Sequence, residues 1–134
     1  MKERKLKPFL KWAGGKSQLI EIIRRVYPQE LGGTILKYAE PFVGGGALLF
    51  DILDTYELDS IYISDTNAEL INTYKILRDN ADGLISFLSR YQDEYIPLSN
   101  DSRKKYYYKK RKRYNELKSL AVLDTEIASI FIFL

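Results

Sequence analysis

Ile35-Leu-Lys-Tyr-Ala-Glu-Pro-Phe42, running straight into Val43-Gly-Gly-Gly46 and then Ala47-Leu-Leu-Phe-Asp-Ile-Leu53, is the stretch that decides the fold. The first part is a short, largely apolar run of the kind that makes a buried strand. The glycines break it, and the apolar residues from Ala47 to about Leu53 resume as a helix. Ile61 to Ser64 reads as a second strand ending at Asp65. Thr66 and Glu69 then stand at capping-box spacing before a helix with Leu70, Ile71, Tyr74 and Leu77 on one face. Strand, glycine turn, helix, strand, acidic residue, helix is the opening of a doubly wound α/β sheet.

Upstream, Lys16 to Tyr27 reads as a helix, with Leu19, Ile22, Ile23 and Val26 at i, i+3, i+4, i+7 and Pro28 as its stop. Gly32-Gly33 is a turn. Two glycine segments are candidates for holding a nucleotide. Lys11-Trp-Ala-Gly-Gly-Lys-Ser17 looks like the end of a phosphate-binding loop, but that motif needs glycine at position 10, which is Leu10, and a strand in front. Spacing alone favours a tight turn that starts the following helix. Glu40-Pro-Phe-Val-Gly-Gly-Gly46 lacks the third glycine of the dinucleotide fingerprint, since position 49 is Leu49. What remains is a strand-to-helix turn where absent Cβ atoms let the backbone approach a ligand. Asp65, at the end of the next strand, is placed to accept hydrogen bonds from a ribose diol, or else to cap a helix. Together these features fit an adenosine that carries no pyrophosphate.

Downstream of about Ile76 no strand pattern appears. Leu84, Phe87, Leu88 and Tyr91 suit one helix, Pro97 to Asp101 a loop, and Tyr106 to Leu123 a long second helix. Ile127, Ile130, Phe131 and Leu134 form a further helical stripe that needs a partner surface, which reads as a truncated chain. The net charge of +3 conceals an asymmetry. Residues 1–100 carry 12 basic and 14 acidic side chains, whereas residues 101–134 carry 9 and 4. Arg103 to Arg113 alone holds eight basic residues and three tyrosines, which suggests a local anionic partner. Such a run is also what an ordinary solvated helix face looks like.

With no cysteine and no histidine, disulfides, thiolate nucleophiles, zinc sites and imidazole acid–base chemistry are excluded within this chain. The leader from Met1 to Pro8 is charged, with no apolar stretch behind it, and no 18-residue apolar run occurs. No secretory signal or membrane span is expected, and a cytoplasmic setting is.

Three segments together resemble the Dam-like (D12 class) DNA adenine-N6 methyltransferase family. They are Phe9-Leu-Lys-Trp-Ala-Gly-Gly-Lys16, Tyr38-Ala-Glu-Pro-Phe-Val-Gly-Gly-Gly46 and Ser64-Asp-Thr-Asn-Ala-Glu-Leu-Ile-Asn72. The resemblance covers nearly the whole chain, in family order and spacing. It implies a Rossmann-like S-adenosylmethionine-dependent methyltransferase fold, here with a partial sheet and a helical target-recognition insertion. Residues 1–75 would be the N-terminal part of the cofactor-binding domain, and residues 76–134 the DNA-binding region. By resemblance, Trp12, Lys16, Glu40, Phe42, Gly44, Gly46 and Asp65 bind the cofactor. Lys16 would meet the methionine carboxylate, Trp12 the sulfonium end and Asp65 the ribose. Lys11 would reach the DNA, joined by Lys109, Lys110 and Lys112 as phosphate contacts. Part of the Tyr107-Tyr-x-x-Arg111-x-x-Tyr114-Asn115 pattern is expected to pack internally.

The implied reaction moves a methyl group from S-adenosylmethionine to adenine N6 in duplex DNA, at a short site such as GATC, after the base leaves the stack. The family's Asp-Pro-Pro-Tyr type tetrapeptide is missing, so no catalytic residue is expected in this chain and the fragment alone should be inactive. No metal is required, and a monomer is expected. Lack of cysteine argues, within this chain, against cytosine C5 methylation. The competing readings are a phosphate-loop ATPase, a non-catalytic DNA-binding module, and a methyltransferase acting on RNA or a small molecule.

Overall fold

The computed structural model describes residues 6–134, so Met1 to Lys5 of the charged leader lie outside the described residues. The chain divides into two compact units, Met1–Thr66 and Asn67–Leu134. The helix after Asp65 thus falls in the second unit, whereas the division expected at residue 75 would assign it to the first.

In the first unit a 3-10 turn at Lys16–Leu19 leads into the short helix α1, Ile20–Arg24. Strand β1 is Lys37–Glu40, α2 is Ala47–Thr55 and β2 is Ser60–Ile63. The two strands pair in parallel, Lys37 opposite Ser60 and Glu40 opposite Ile63. A strand was expected over 35–42, but Pro41 has no N–H to give a ladder, and β1 ends before it. Within β1 the even positions turn inward: Tyr38 is half-buried and Glu40 buried. The backbone then needs a left-handed residue to turn into α2, and Gly46 supplies it at φ 79° as the N-cap.

The expected helix from Lys16 to Tyr27 is shorter and faces the other way. Ile20 is its buried residue, while Leu19, Ile22 and Val26 are 51%, 61% and 75% exposed. The predicted apolar stripe is therefore not the packed face within this unit.

The second unit is helical among the described residues: α3 is Ala68–Asp79, α4 Ala81–Tyr95, α5 Asn100–Ser119 and α6 Thr125–Phe133. Each begins with a side chain that accepts an orphan backbone N–H. Asn67 takes Leu70, Asn80 takes Gly83, Ser99 takes Ser102 and Asp124 takes Ile127. The cap of α3 is thus Asn67, not Thr66. The Ser99 cap starts α5 at Asn100, six positions before the apolar pattern does. Tyr91, Leu117, Ile127 and Ile130 form the core, with Phe87, Leu88, Tyr114, Val122 and Phe133 packed against it. Of the α6 stripe, Ile127 and Ile130 find their partner surface here at 1% and 0% exposed, while Leu134 is 39% exposed. The hydroxyls of Tyr91 and Ser129 pair at 3.0 Å, which satisfies both in the interior.

Candidate functional site

At the C-terminal end of β1 the glycine turn and the Trp12–Lys16 turn face each other across a cavity of about 230 Å³. Trp12, Gly14, Gly15 and Lys16 form one wall, and Phe42 through Ala47, at the start of α2, form the other. Asp65, just after β2, completes the lining. Of the seven residues expected at the cofactor, six line this cavity and Glu40 stands behind it.

The turn is shaped around Trp12. Gly44 lies at φ 52°, a left-handed conformation that glycine adopts without strain. A Cβ on Gly44 would come within 3.0 Å of the Trp12 ring, and one on Gly45 within 2.8 Å of the Trp12 Cβ. Gly45, which the motif leaves without a role, is therefore where the two walls approach most closely. The Gly44 amide donates to Asp65 Oδ2 at 3.1 Å, and the Val43 amide to the Ser64 carbonyl at 3.1 Å. These bonds tie the turn to the end of β2. Since Asn67 caps α3, capping is not the role of Asp65.

Lys16 donates to Glu40 Oε1 and to the Phe42 carbonyl, both at 3.0 Å. Two of the three ammonium donors are thereby directed into the turn. Glu40 is 4% exposed, and its other oxygen accepts from the Tyr38 hydroxyl at 2.8 Å. Burial, then the bond to Glu40, pushes the Tyr38 phenol well above its ordinary range. Sequence reasoning passed over Tyr38. The signal available was its place two residues before Glu40, which on a strand means the same face. Glu40 thus holds Lys16 in place, and Tyr38 completes the hydrogen bonding of that buried carboxylate.

The basic run sorts into two sets on α5. Arg103 turns back to the carbonyls of Tyr95 and Ile96. Lys110 sits with Nζ 3.5 Å from the centre of the Tyr91 ring. Arg113 forks onto Glu126 with two bonds of 2.9 Å. Lys104, Lys105, Lys109, Arg111 and Lys112 are exposed, beside the 53% exposed Tyr108. Of the expected phosphate contacts, then, Lys109 and Lys112 are on the outer face of α5, while Lys110 packs inward. Lys11 is exposed, next to Trp12 in the first unit. Tyr114 stacks on Phe131 with an interplanar angle of 27°, an internal use of the tyrosine pattern. A larger surface depression of about 580 Å³ is lined by α5 alone and has no opposing wall.

Residues 12–134 match the family model described as D12 class N6 adenine-specific DNA methyltransferase. Among individual proteins, the chain is 48% identical over 115 residues to Type II methyltransferase M.MjaIII of Methanocaldococcus jannaschii, covering 85% of the chain and 40% of that protein. It is 35% identical over 112 residues to a DNA adenine methylase of Haemophilus influenzae, 83% of the chain and 35% of the relative. With the DNA N-6-adenine-methyltransferase of Escherichia phage P1 it shares 37% identity over 119 residues, 79% of the chain and 15% of the relative. The chain thus spans well under half the length of these curated relatives. The family match takes in the glycine turn, Asp65 and the whole helical unit; this chain belongs to the D12 class N6 adenine-specific DNA methyltransferases.

Proposed function

We propose that this chain is the cofactor-binding and DNA-contacting part of an enzyme that methylates adenine N6 in duplex DNA, at a short site such as GATC. The observation that carries the proposal is the convergence of Trp12, Lys16, the glycine turn and Asp65 on one cavity. In this reading the two parallel strands are the opening of a Rossmann-like sheet. Residues 1–75 serve the cofactor and residues 76–134 the DNA. The whole protein works as a cytoplasmic monomer. The relatives' names, adenine methylases among them, support the same reaction for this chain.

S-adenosylmethionine, when bound, supplies a methyl group on a sulfonium. The residues present fit such a group. Bare glycines at 44 and 45 let Trp12 close against the turn, where it offers a ring to an adjacent cation. Lys16 presents positive charge to a carboxylate, held in place by Glu40 and the Phe42 carbonyl. Asp65 Oδ2 takes the Gly44 amide, and a carboxylate has further acceptor sites for a ribose diol. At about 230 Å³ the cavity is below the roughly 300–1,000 Å³ usual for such ligands, so it encloses one end of the cofactor. The chain's four prolines stand in Lys-Pro-Phe, Tyr-Pro-Gln, Glu-Pro-Phe and Ile-Pro-Leu, and none belongs to an Asp-Pro-Pro-Tyr type motif. Holding the cofactor and contacting DNA are the parts of the reaction assigned to this chain; grip on the extruded adenine is not.

The phosphate-loop alternative loses support, because no strand precedes Gly14 among the described residues and Lys16 Nζ is directed at Glu40. Calorimetric titration of the intact protein with S-adenosylmethionine, ATP and duplex DNA tests the proposal. Binding of S-adenosylmethionine that weakens at least about tenfold in Asp65→Ala is expected. ATP binding in its place, or DNA binding by a protein that ignores S-adenosylmethionine, would overturn it.

A further inference from the structure

Asp51 is a carboxylate in the apolar middle of α2, 1% exposed, and nothing in the cofactor reading uses it. Two of its partners, Arg24 and Tyr27, come from the segment that carries Lys16. Arg24 Nε lies 3.1 Å from both Asp51 oxygens, the Arg24 Nη2 donates to Oδ1, and the Tyr27 hydroxyl donates to Oδ2 at 3.1 Å. The arrangement repeats the one at the pocket: a buried carboxylate, a cation and a tyrosine, with Lys16 and Arg24 as the two cations. Residues 16 to 24 are therefore pinned at both ends by ion pairs.

Apolar packing does little to hold this segment in place. The 3-10 turn buries no residue and α1 buries Ile20, while Leu19 and Ile22 point to solvent. Ahead of it, Phe9 meets Phe50 edge to face at 6.0 Å. The first pin bears on the end of β1 and the second on α2, the two elements that the glycine turn joins. Ala47 of α2 lines the cavity, and Asp51 is four residues on, about 6 Å along the axis.

We propose that Asp51 is a positioning residue for the cofactor pocket: through Arg24 it seats the 16–24 segment, and so sets how tightly the Trp12–Lys16 wall closes on its ligand. This rests on the reading of the cavity as a site for S-adenosylmethionine. A buried carboxylate suits the task, because losing either member of the pair removes the fork that ties Arg24, at the end of the segment, to α2.

The experiment uses the intact protein and the variants Asp51→Asn, Arg24→Gln, the double variant, and Arg25→Gln as an exposed neighbouring control. S-adenosylmethionine affinity is read by calorimetry well below each variant's melting temperature. Opening of residues 16–24 is read by amide hydrogen exchange without ligand. Each single variant is expected to weaken binding about tenfold or more and to speed exchange across 16–24 by a similar factor. The double variant should be no worse than the poorer single one, since both remove one interaction. Lower melting temperatures with unchanged affinity and unchanged 16–24 exchange would make Asp51 merely structural and overturn the proposal. If Asp51→Asn does not fold, Arg24→Lys, which keeps the charge but loses the fork, is judged by the same two readings. A parent protein that fails to bind S-adenosylmethionine refutes the cofactor reading. The exchange data still decide whether Asp51 seats the segment, and unchanged exchange overturns that.

Discussion

An alanine at position 45 would put its Cβ 2.8 Å from the Trp12 Cβ, a contact that real structures do not tolerate. Either the tryptophan moves away or the turn opens, and overpacking of this kind costs about 1–3 kcal/mol. Gly45→Ala should therefore lower the urea midpoint and weaken S-adenosylmethionine binding together. A loss of stability with affinity intact would show that Trp12 is not a wall of the site. Tyr38→Phe is a milder probe. It removes the donor to Glu40 Oε2 and leaves Lys16 Nζ at 3.0 Å from the other oxygen. An unmet buried carboxylate oxygen costs about 1–3 kcal/mol, and the half-buried phenol puts the expected loss at the low end. Equilibrium unfolding of the variant measures it, and no change would mean that water replaces the hydroxyl. At this scale the sequence was legible where a motif repeats residue types at fixed spacing, as with Phe42, Gly44, Gly46 and Asp65. It was silent where a role comes from tertiary approach. Gly45 matters because Trp12 arrives from a separate segment, and Asp51 because Arg24 does.

Helix α5 shows what is lost when a run of charges is read without its periodicity. Arg103, Lys110 and Arg113 point toward their own unit, whereas Lys105, Lys109 and Lys112 share the outer face at i, i+4 and i+7. Under the proposed function, phosphate contact belongs to the second set. Each lysine that neutralises a phosphate steepens the dependence of log affinity on log salt by about 0.9. Lys105→Gln, Lys109→Gln and Lys112→Gln combined should flatten that slope by up to about 2.7 in duplex binding by the intact protein. Lys110→Gln should leave the slope alone, since its ammonium lies over the Tyr91 ring and not on the outer face. A slope that responds to Lys110 and not to the outer lysines would reverse the assignment. Element boundaries failed for a similar reason. Caps are set by whichever side chain reaches the orphan N–H: Asn67 does so where capping-box spacing pointed to Thr66, and Ser99 starts a helix that the apolar pattern began at Tyr106. Order and type of elements were readable from hydrophobic period. The side that α1 buries was not, because a five-residue helix held by ion pairs need not follow its apolar stripe.

For the molecule as a whole, absence of histidine and cysteine has a consequence for pH. Between glutamate near about 4.3 and tyrosine near about 10 no side chain titrates at its ordinary pKa, so stability should be flat from about pH 6 to about pH 9. The limits lie outside that plateau. On the acid side, the fork from Arg113 holds Glu126 below the usual carboxylate range. Its contribution is present above the unfolded value and lost as pH falls through the folded one. On the alkaline side, burial and then bonds to Asp51, Glu40 and Glu94 push the phenols of Tyr27, Tyr38 and Tyr106 well up. A phenol whose folded pKa is raised stabilises fully below about pH 10, and that contribution is lost as pH rises further. Lys110 has the opposite sign. Burial lowers it, so its charged form opposes folding at neutral pH and that penalty fades as the ammonium deprotonates. The cation–π contact with Tyr91 works against the lowering. Burial raises Tyr114 as well, so two raised phenols stand in the first unit, and two stand against the one lowered ammonium in the second, which makes the net slope negative above about pH 10. Thermal melts from about pH 3 to about pH 11, with near-ultraviolet phenolate absorbance recorded alongside, check the sign and the cause. Ionisation of part of the tyrosine signal should wait for unfolding and appear with it. If all 11 tyrosines ionise near their ordinary pKa while the fold persists, the buried phenol–carboxylate bonds do not hold the structure as described.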